Sequence, residues 1–112
     1  MGEGFAFENP WTPAHQAVEM GDHDELSRLL YDGANPDEIC CGMTLLVHAI
    51  DLEGDSALQS GNPLSGAATA IILAFGADPF LVAPMGEAPL QIAESYGHDI
   101  ARLLILEKFG ER

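Results

Sequence analysis

The sequence predicts an all-α fold built from one helical unit that occurs three times. Internal similarity is the first observation, because three segments can be aligned residue by residue: 12–17, 44–49 and 88–93. The second observation is that residues favoured at the N-terminus of a helix occur in these segments. Thr accepts a hydrogen bond from an otherwise unpaired backbone N–H, and Pro at the next position has no N–H to leave unpaired. Thr12-Pro13 has both features and Ala88-Pro89 keeps the second, so each aligned segment predicts the beginning of a helix.

These segments resemble the opening of the ankyrin repeat, whose pattern is T-P-L-H-x-A. The three copies read T-P-A-H-Q-A, T-L-L-V-H-A and A-P-L-Q-I-A. Later parts of the repeat also match, with its G-H pair at 97–98 and its closing G-A-N or G-A-D at 33–35 and 76–78. Thr44 follows Thr12 by 32 residues, close to the family period of about 33. The third copy begins 44 residues after Thr44, which is one period plus an insertion of about 11 residues.

The resemblance implies a single ankyrin-repeat domain over residues 1–112, a solenoid of three helix pairs joined by hairpin-like loops. One repeat cannot bury its own apolar face, and three are about the minimum for a stable stack. The repeats are expected near 10–42, 43–85 and 86–112. The helices are expected near 13–20, 23–31, 44–53, 64–75, 89–96 and 98–109, with projecting loops at 34–43 and 77–87.

Two segments need a separate interpretation. The tract 54–63 contains the insertion, and its turn residues and low apolar content predict an exposed loop in the second repeat. Near the N-terminus, Phe5, Phe7 and Trp11 are predicted to cover the exposed face of the first repeat.

Charge is the unusual property of the composition. The 112 residues include 18 acidic and 4 basic ones, which gives a formal net charge of −14. A magnitude of about 2–8 suffices to keep a small domain soluble. A field of this sign repels nucleic acid and anionic membranes and speeds the approach of a basic partner. The composition therefore favours a basic protein partner over direct binding to nucleic acid or membrane. The alternative is that the acidity serves only solubility or reflects a high-salt habitat.

Nothing in the sequence predicts export or membrane insertion. No apolar run approaches the roughly 20 residues of a membrane-spanning helix, and the first residues lack the basic stretch and apolar core of a secretory signal. The only two cysteines, Cys40 and Cys41, are adjacent, so they cannot link distant parts of the chain, and no CxxC pair indicates zinc. We therefore expect a soluble cytoplasmic protein with free thiols.

The histidines do not predict catalysis. The resemblance implies that His15 and His98, at the family's H positions, form hydrogen bonds within the scaffold. His48 lies one place beyond the H position, where it can face the binding groove as a contact residue. His23 belongs to an acidic first helical turn, which the helix dipole explains better than a metal site does. The sequence also lacks GxSxG, HExxH and a phosphate-binding glycine loop, so we predict a protein that is not an enzyme and has no cofactor or metal ion.

The partner-binding residues follow from the resemblance, because ankyrin repeats bind through the first helix of each pair and the tips of the loops. Outward positions on these helices mix carboxylates with large apolar side chains. The first loop is acidic, whereas the second carries no charge between residues 80 and 85. The predicted partner-binding residues are Glu19, Met20, Asp37, Glu38, Asp51, Leu52, Glu53, Val82, Met85 and Tyr96. The alternative for Met20, Leu52 and Tyr96 is that they pack against neighbouring repeats.

The predicted function is that of a protein-binding module. The first hypothesis is a small acidic immunity protein or antitoxin that binds and neutralises a basic toxin or effector, a task that fast electrostatic steering suits. The alternatives are a general adaptor or regulatory subunit, and a mimic of nucleic acid whose carboxylates stand in for phosphates. No motif specifies a toxin, so the first hypothesis rests on analogy with a class of proteins.

Overall fold

The computed structural model describes residues 10–109. Within this range the chain forms six helices: α1 Pro13–Met20, α2 His23–Tyr31, α3 Leu45–Ser60, α4 Ala67–Ala74, α5 Pro89–Tyr96 and α6 Asp99–Phe109. Between α2 and α3, strand β1 (Ile39–Cys40) pairs antiparallel with β2 (Met43–Thr44), and Ile39 lies opposite Thr44. The fold is therefore all-α, as predicted, with a hairpin in the first loop.

Local hydrogen bonds begin the first helix of each pair. The hydroxyls of Thr12 and Thr44 each accept a hydrogen bond from the backbone N–H three residues later, at 3.3 and 3.0 Å. Ala88 has no hydroxyl, and its own backbone N–H donates to Oε1 of Gln91 at 3.0 Å. These bonds pair backbone and side-chain groups at helix ends that would otherwise be open, so the starts of α1 and α3 agree with the sequence prediction.

The helices form two layers. The first helices of the pairs, α1, α3 and α5, pack side by side, and α2, α4 and α6 pack in a second layer. Three alanines at the same position in each copy, Ala17, Ala49 and Ala93, are at most 3% exposed. Their small side chains let neighbouring helices of the first layer approach closely. Leu26 of α2 and Ile72 of α4 are fully buried in the same core, which joins the two layers.

The tract predicted as an inserted loop, 54–63, is mostly helix. α3 continues to Ser60, and only residues 61–66 connect it to α4. The tract includes Ala, Leu and Gln, which are good helix formers, and the side-chain amide of Gln59 donates to the carboxylate of Asp55 one turn earlier, at 2.9 Å. The extra residues therefore lengthen the first helix of the second pair, and α4 begins later than we expected.

Gly54 allows this longer helix to pack against α5. A Cβ built on Gly54 would lie 2.6 Å from both Cβ and Cγ of Tyr96, closer than side-chain atoms approach in proteins. We expect Gly54→Ala to lower the free energy of unfolding by about 1–3 kcal/mol through overpacking. The clash is with Cβ and Cγ of Tyr96, which cannot move aside as the end of a flexible side chain would, so the loss lies in the upper part of this range and exceeds the gain of about 1 kcal/mol that alanine brings to a helix interior. Urea denaturation followed by circular dichroism measures the change.

The control for this prediction is Ser56→Ala, on the exposed side of the same helix. Its stability should stay within about 0.5 kcal/mol of the original protein. A Gly54→Ala variant that is as stable as the Ser56→Ala variant would contradict the close packing of α3 on α5.

Candidate protein-binding surface

A groove of about 220 Å³ lies between the helices α3 and α5 and the two loops. We call it the loop groove. Val47 of α3, Ile92 of α5 and Ala83 of the second loop supply apolar lining. Asp51 of α3 and Glu87 at the end of the second loop also line it. The loop groove therefore combines apolar surface with two acidic side chains.

Asp51 is held in its place by Tyr96 of the neighbouring helix. The phenol hydroxyl donates a hydrogen bond to the Asp51 carboxylate, and this bond, together with partial burial, raises the pKa of Tyr96 to about 12. The phenol is therefore protonated at neutral pH. Tyr96 is half-buried and its ring packs against Gly54 of α3. Its surroundings therefore agree with the alternative that Tyr96 packs against a neighbouring repeat. Tyr96 affects the loop groove by holding the Asp51 carboxylate in position.

The tip of the second loop is exposed. A turn over residues 83–86 is closed by a hydrogen bond from the Gly86 N–H to the Ala83 carbonyl, at 2.8 Å. Met85 follows a proline in this turn and has a φ of +62°, a conformation that favours glycine. The side chain of Met85 is fully exposed, and Val82 is also exposed. Two apolar side chains are thus presented at the edge of the loop groove.

The two acidic residues of the first loop are partly buried and hydrogen-bonded within the scaffold. The Asp37 carboxylate accepts a hydrogen bond from the backbone N–H of Asp78 at 2.7 Å, which ties the first loop to the second. The Glu38 carboxylate accepts a hydrogen bond from the Thr12 hydroxyl. Both residues therefore position the loops, and their contact with a partner stays a prediction.

The first helix pair and its loop identify the family. The ring of His15 is buried, and its Nε2 lies 3.3 Å from the backbone carbonyl of Glu38, so it joins α1 to the loop that leads to the next pair. The sequence profile of the ankyrin repeat matches residues 11–40. The chain therefore contains an ankyrin repeat. Among curated proteins, none matches the chain.

The ankyrin repeat is a protein-interaction module that typically has no enzymatic activity, so the fold of this ankyrin-repeat protein is one that binds other proteins. Over residues 10–109, no helix is long and apolar enough to cross a membrane. In the same part of the chain, no three side chains of His, Cys, Asp or Glu are grouped so that they could hold a metal ion. The repeat boundaries at 10–42, 43–85 and 86–112 stay a prediction.

Glu53 was predicted to contact a partner, but the structure of this ankyrin-repeat protein places it inside. Its side chain is only 9% exposed. Oε2 accepts hydrogen bonds from the backbone N–H groups of Ala68 and Thr69, at 3.0 and 3.3 Å, at the N-terminus of α4. Oε1 accepts one from the Thr69 hydroxyl at 2.6 Å and lies 2.7 Å from Nε2 of His98. Glu53 therefore caps α4 and connects it to the third pair, because Gly66 before the helix has no side chain to do so.

The other predicted contact residues on α1 and α3 differ in their surroundings. Met20, the last residue of α1, is 68% exposed. Glu19 is also exposed, and its carboxylate lies 2.8 Å from Nε2 of His48. Leu52 is half-buried and packs against the core, which agrees with the alternative that it packs within the stack of repeats. Met20 and Glu19 are thus exposed, and their contact with a partner stays a prediction.

The sequence patterns did not predict a pair of buried histidines, His15 and His48. Nδ1 of His15 and Nδ1 of His48 are 2.9 Å apart, and Trp11 stacks on His48 with ring centroids 4.6 Å apart. With both rings neutral, one of the two Nδ1 atoms donates a hydrogen bond and the other accepts it. Burial lowers the pKa of His15, which favours this neutral state.

The histidine pair corrects the expectation that His48 faces the groove. Its side chain is buried and links α3 to α1. The signal that could have found the pair is the separation of 33 residues between the two histidines, one ankyrin period, which places them side by side in adjacent repeats. Trp11 covers the pair, in keeping with its predicted capping role, whereas Phe5 and Phe7 lie outside the described residues.

Proposed function

We propose that this ankyrin-repeat protein binds a basic protein partner in the loop groove, and that it is an immunity protein or antitoxin covering a basic toxin or effector. The observation that supports this most directly is the pairing of Asp51 and Glu87 with apolar lining, on a chain of net charge −14. The ankyrin repeat supports protein binding in general, and the acidic groove supports the choice of a basic partner.

The chemistry of the loop groove suits an arginine or lysine side chain. Such a side chain buries an aliphatic stem against apolar surface while its cationic end stays at the rim. Val47 and Ile92 provide surface for the stem, and Asp51 and Glu87 provide acceptors for charge-assisted hydrogen bonds. At about 220 Å³ the groove is smaller than the roughly 300–1,000 Å³ of typical small-molecule pockets, which favours a protein side chain as its occupant.

Electrostatic steering supports the assignment to toxin neutralisation. A strongly acidic binder raises its association rate with a basic partner, up to about 10⁸–10⁹ M⁻¹s⁻¹ at low salt, and loses this advantage as salt is added. A protein that must cover a toxin before it acts benefits from such a rate.

Neutralising the two groove carboxylates should slow association. The partner is first captured by pull-down from the native host and identified, and association is then followed by stopped-flow fluorescence at low and physiological salt. We expect Asp51→Asn with Glu87→Gln to reduce the association rate by about three- to tenfold at low salt and to weaken its salt dependence. Asp51→Asn still accepts the hydrogen bond from Tyr96, so the packing of α5 is preserved.

The control is Asp24→Asn with Glu107→Gln, which changes the net charge by the same amount at exposed positions on α2 and α6. Equal slowing by both double variants would show steering by overall charge alone and would contradict binding in the groove. An acidic partner, or association indifferent to salt, would contradict the basic partner itself.

The antitoxin role is tested separately from binding. Co-expression of the partner with this ankyrin-repeat protein should restore growth to cells that the partner alone inhibits, and a toxin reading frame should adjoin its own. A partner that is harmless to cells and encoded elsewhere would favour an adaptor or regulatory subunit and overturn the antitoxin assignment.

A further inference from the structure

Three atoms that could serve as metal ligands, two sulfurs and one carbonyl oxygen, lie close together at the tip of the first loop. Sγ of Cys40 and Sγ of Cys41 are 3.6 Å apart. The backbone carbonyl oxygen of Pro10 lies 3.1 Å from the first sulfur and 3.8 Å from the second. Two thiols and one carbonyl therefore occupy the corners of a nearly equilateral triangle on the surface of the protein.

The turn that joins β1 to β2 produces this arrangement. Cys41 and Gly42 are its two central residues, and both have positive φ, +58° and +83°. Consecutive side chains of an extended strand point to opposite faces, whereas this left-handed turn carries both sulfurs to one side. Asn, Asp or Gly normally occupies the position of Cys41, and a left-handed backbone at another residue costs about 1 kcal/mol. Cysteine is thus an unfavourable residue at position 41, because the backbone there is left-handed.

The triangle has the dimensions of one face of a tetrahedral metal site. Ligand atoms bonded at about 2.3 Å to a tetrahedral ion are about 3.8 Å from one another. The three observed separations, from 3.1 to 3.8 Å, are close to this value. We propose that Cys40, Cys41 and the Pro10 carbonyl bind a thiophilic divalent cation of the zinc and cadmium class, with the fourth position open to solvent. Two of the donors are side chains and the third is backbone.

Charge and thiol chemistry agree with such a cation. The net charge of −14 raises the local concentration of cations, and thiolate sulfur selects soft or borderline ions over Mg²⁺ or Ca²⁺. Both thiols lose their protons on binding, so one bound ion releases about two protons. Binding should therefore weaken as the pH falls and protons compete with the cation for the two sulfurs.

The test titrates the full chain with Cd²⁺ after reduction by a phosphine, and follows heat, proton release and sulfur-to-cadmium absorption in the ultraviolet. We expect one Cd²⁺ per chain. Cys40→Ser and Cys41→Ser should each weaken binding by at least about tenfold, and the double variant should lose the absorption. Asp24→Asn with Glu107→Gln, which removes two exposed carboxylates away from the first loop, should keep it, and excess Mg²⁺ should not displace the ion.

Three outcomes would overturn the proposal. The first is an unchanged affinity in the double cysteine variant, which would assign the ion to carboxylates. The second is one Cd²⁺ per two chains with a doubled molar mass, which would indicate cross-linking between molecules. The third is the absence of sulfur-to-cadmium absorption in the reduced protein.

Discussion

Glu53→Ala is expected to lower the free energy of unfolding by about 3–5 kcal/mol, because several buried donors lose one shared acceptor at a cost of about 1–3 kcal/mol each. The carboxylate is the acceptor for two backbone N–H groups at the start of α4 and for the Thr69 hydroxyl, and it contacts the buried ring of His98. Alanine leaves all of these groups without their acceptor in the interior. Urea denaturation at pH 7, followed by circular dichroism, measures the loss.

Two variants sharpen this prediction. Glu53→Gln keeps the shape and one acceptor oxygen, so its loss should be intermediate. Glu94→Gln changes the same side chain at an exposed position of α5 and should alter stability by no more than about 0.5 kcal/mol. If Glu53→Ala lost less than about 1 kcal/mol, the carboxylate would not be the cap that joins the second and third pairs.

Acidification should destabilise the protein through the His15–His48 pair. Burial is the main cause that lowers the pKa of His15 below its ordinary value of 6.5. Between the lowered pKa and 6.5 the unfolded chain binds more protons than the folded one, so the free energy of unfolding falls as the pH drops below about 6.5. Above that pH the contribution is constant.

The measurement is a series of urea denaturations between pH 5 and 8. The groups that face His15 are His48, the Glu38 backbone and its carboxylate, and Glu19 lies against the far side of His48. His15→Gln should flatten the pH dependence, and the exposed control His23→Gln should leave it unchanged. His48→Ala should lower stability at pH 7 by about 2–3 kcal/mol, because it leaves Nδ1 of His15 unpaired in a cavity. Equal pH slopes in the His15→Gln variant and the original protein would remove this pair as the cause.

The starts of α1, α3 and α5 could be predicted from the sequence because they depend on residues close together in the chain. The Thr12 and Thr44 caps involve residues three apart, and the spacing of the copies is read directly from the chain. The end of α3 could not be predicted in this way. Turn residues within 54–63 favour a loop locally, but packing of Gly54 against Tyr96 and bonds within the helix prevail.

The candidate site could likewise be predicted only in part from the sequence. Exposure of Val82 and Met85 follows from an uncharged tip with a proline turn, and their contact with a partner stays a prediction. Glu53 was assigned to the partner-binding residues from the resemblance, which gives no sign of its buried hydrogen bonds, because their partners lie 15, 16 and 45 residues away in the chain. The groove itself, with Asp51 and Glu87 together, exists only once two loops and two helices are assembled.

The sequence by itself determined the all-α class, the three copies, the cap residues and the acidic charge. Caps and apolar spacing act over a few residues, and net charge needs no structure at all. The tertiary structure decided that α3 absorbs the insertion, that His48 pairs with His15, and that Glu53 caps α4. Hydrogen bonds between distant residues depend on how the helices are placed relative to one another, and this placement comes from packing of the whole core.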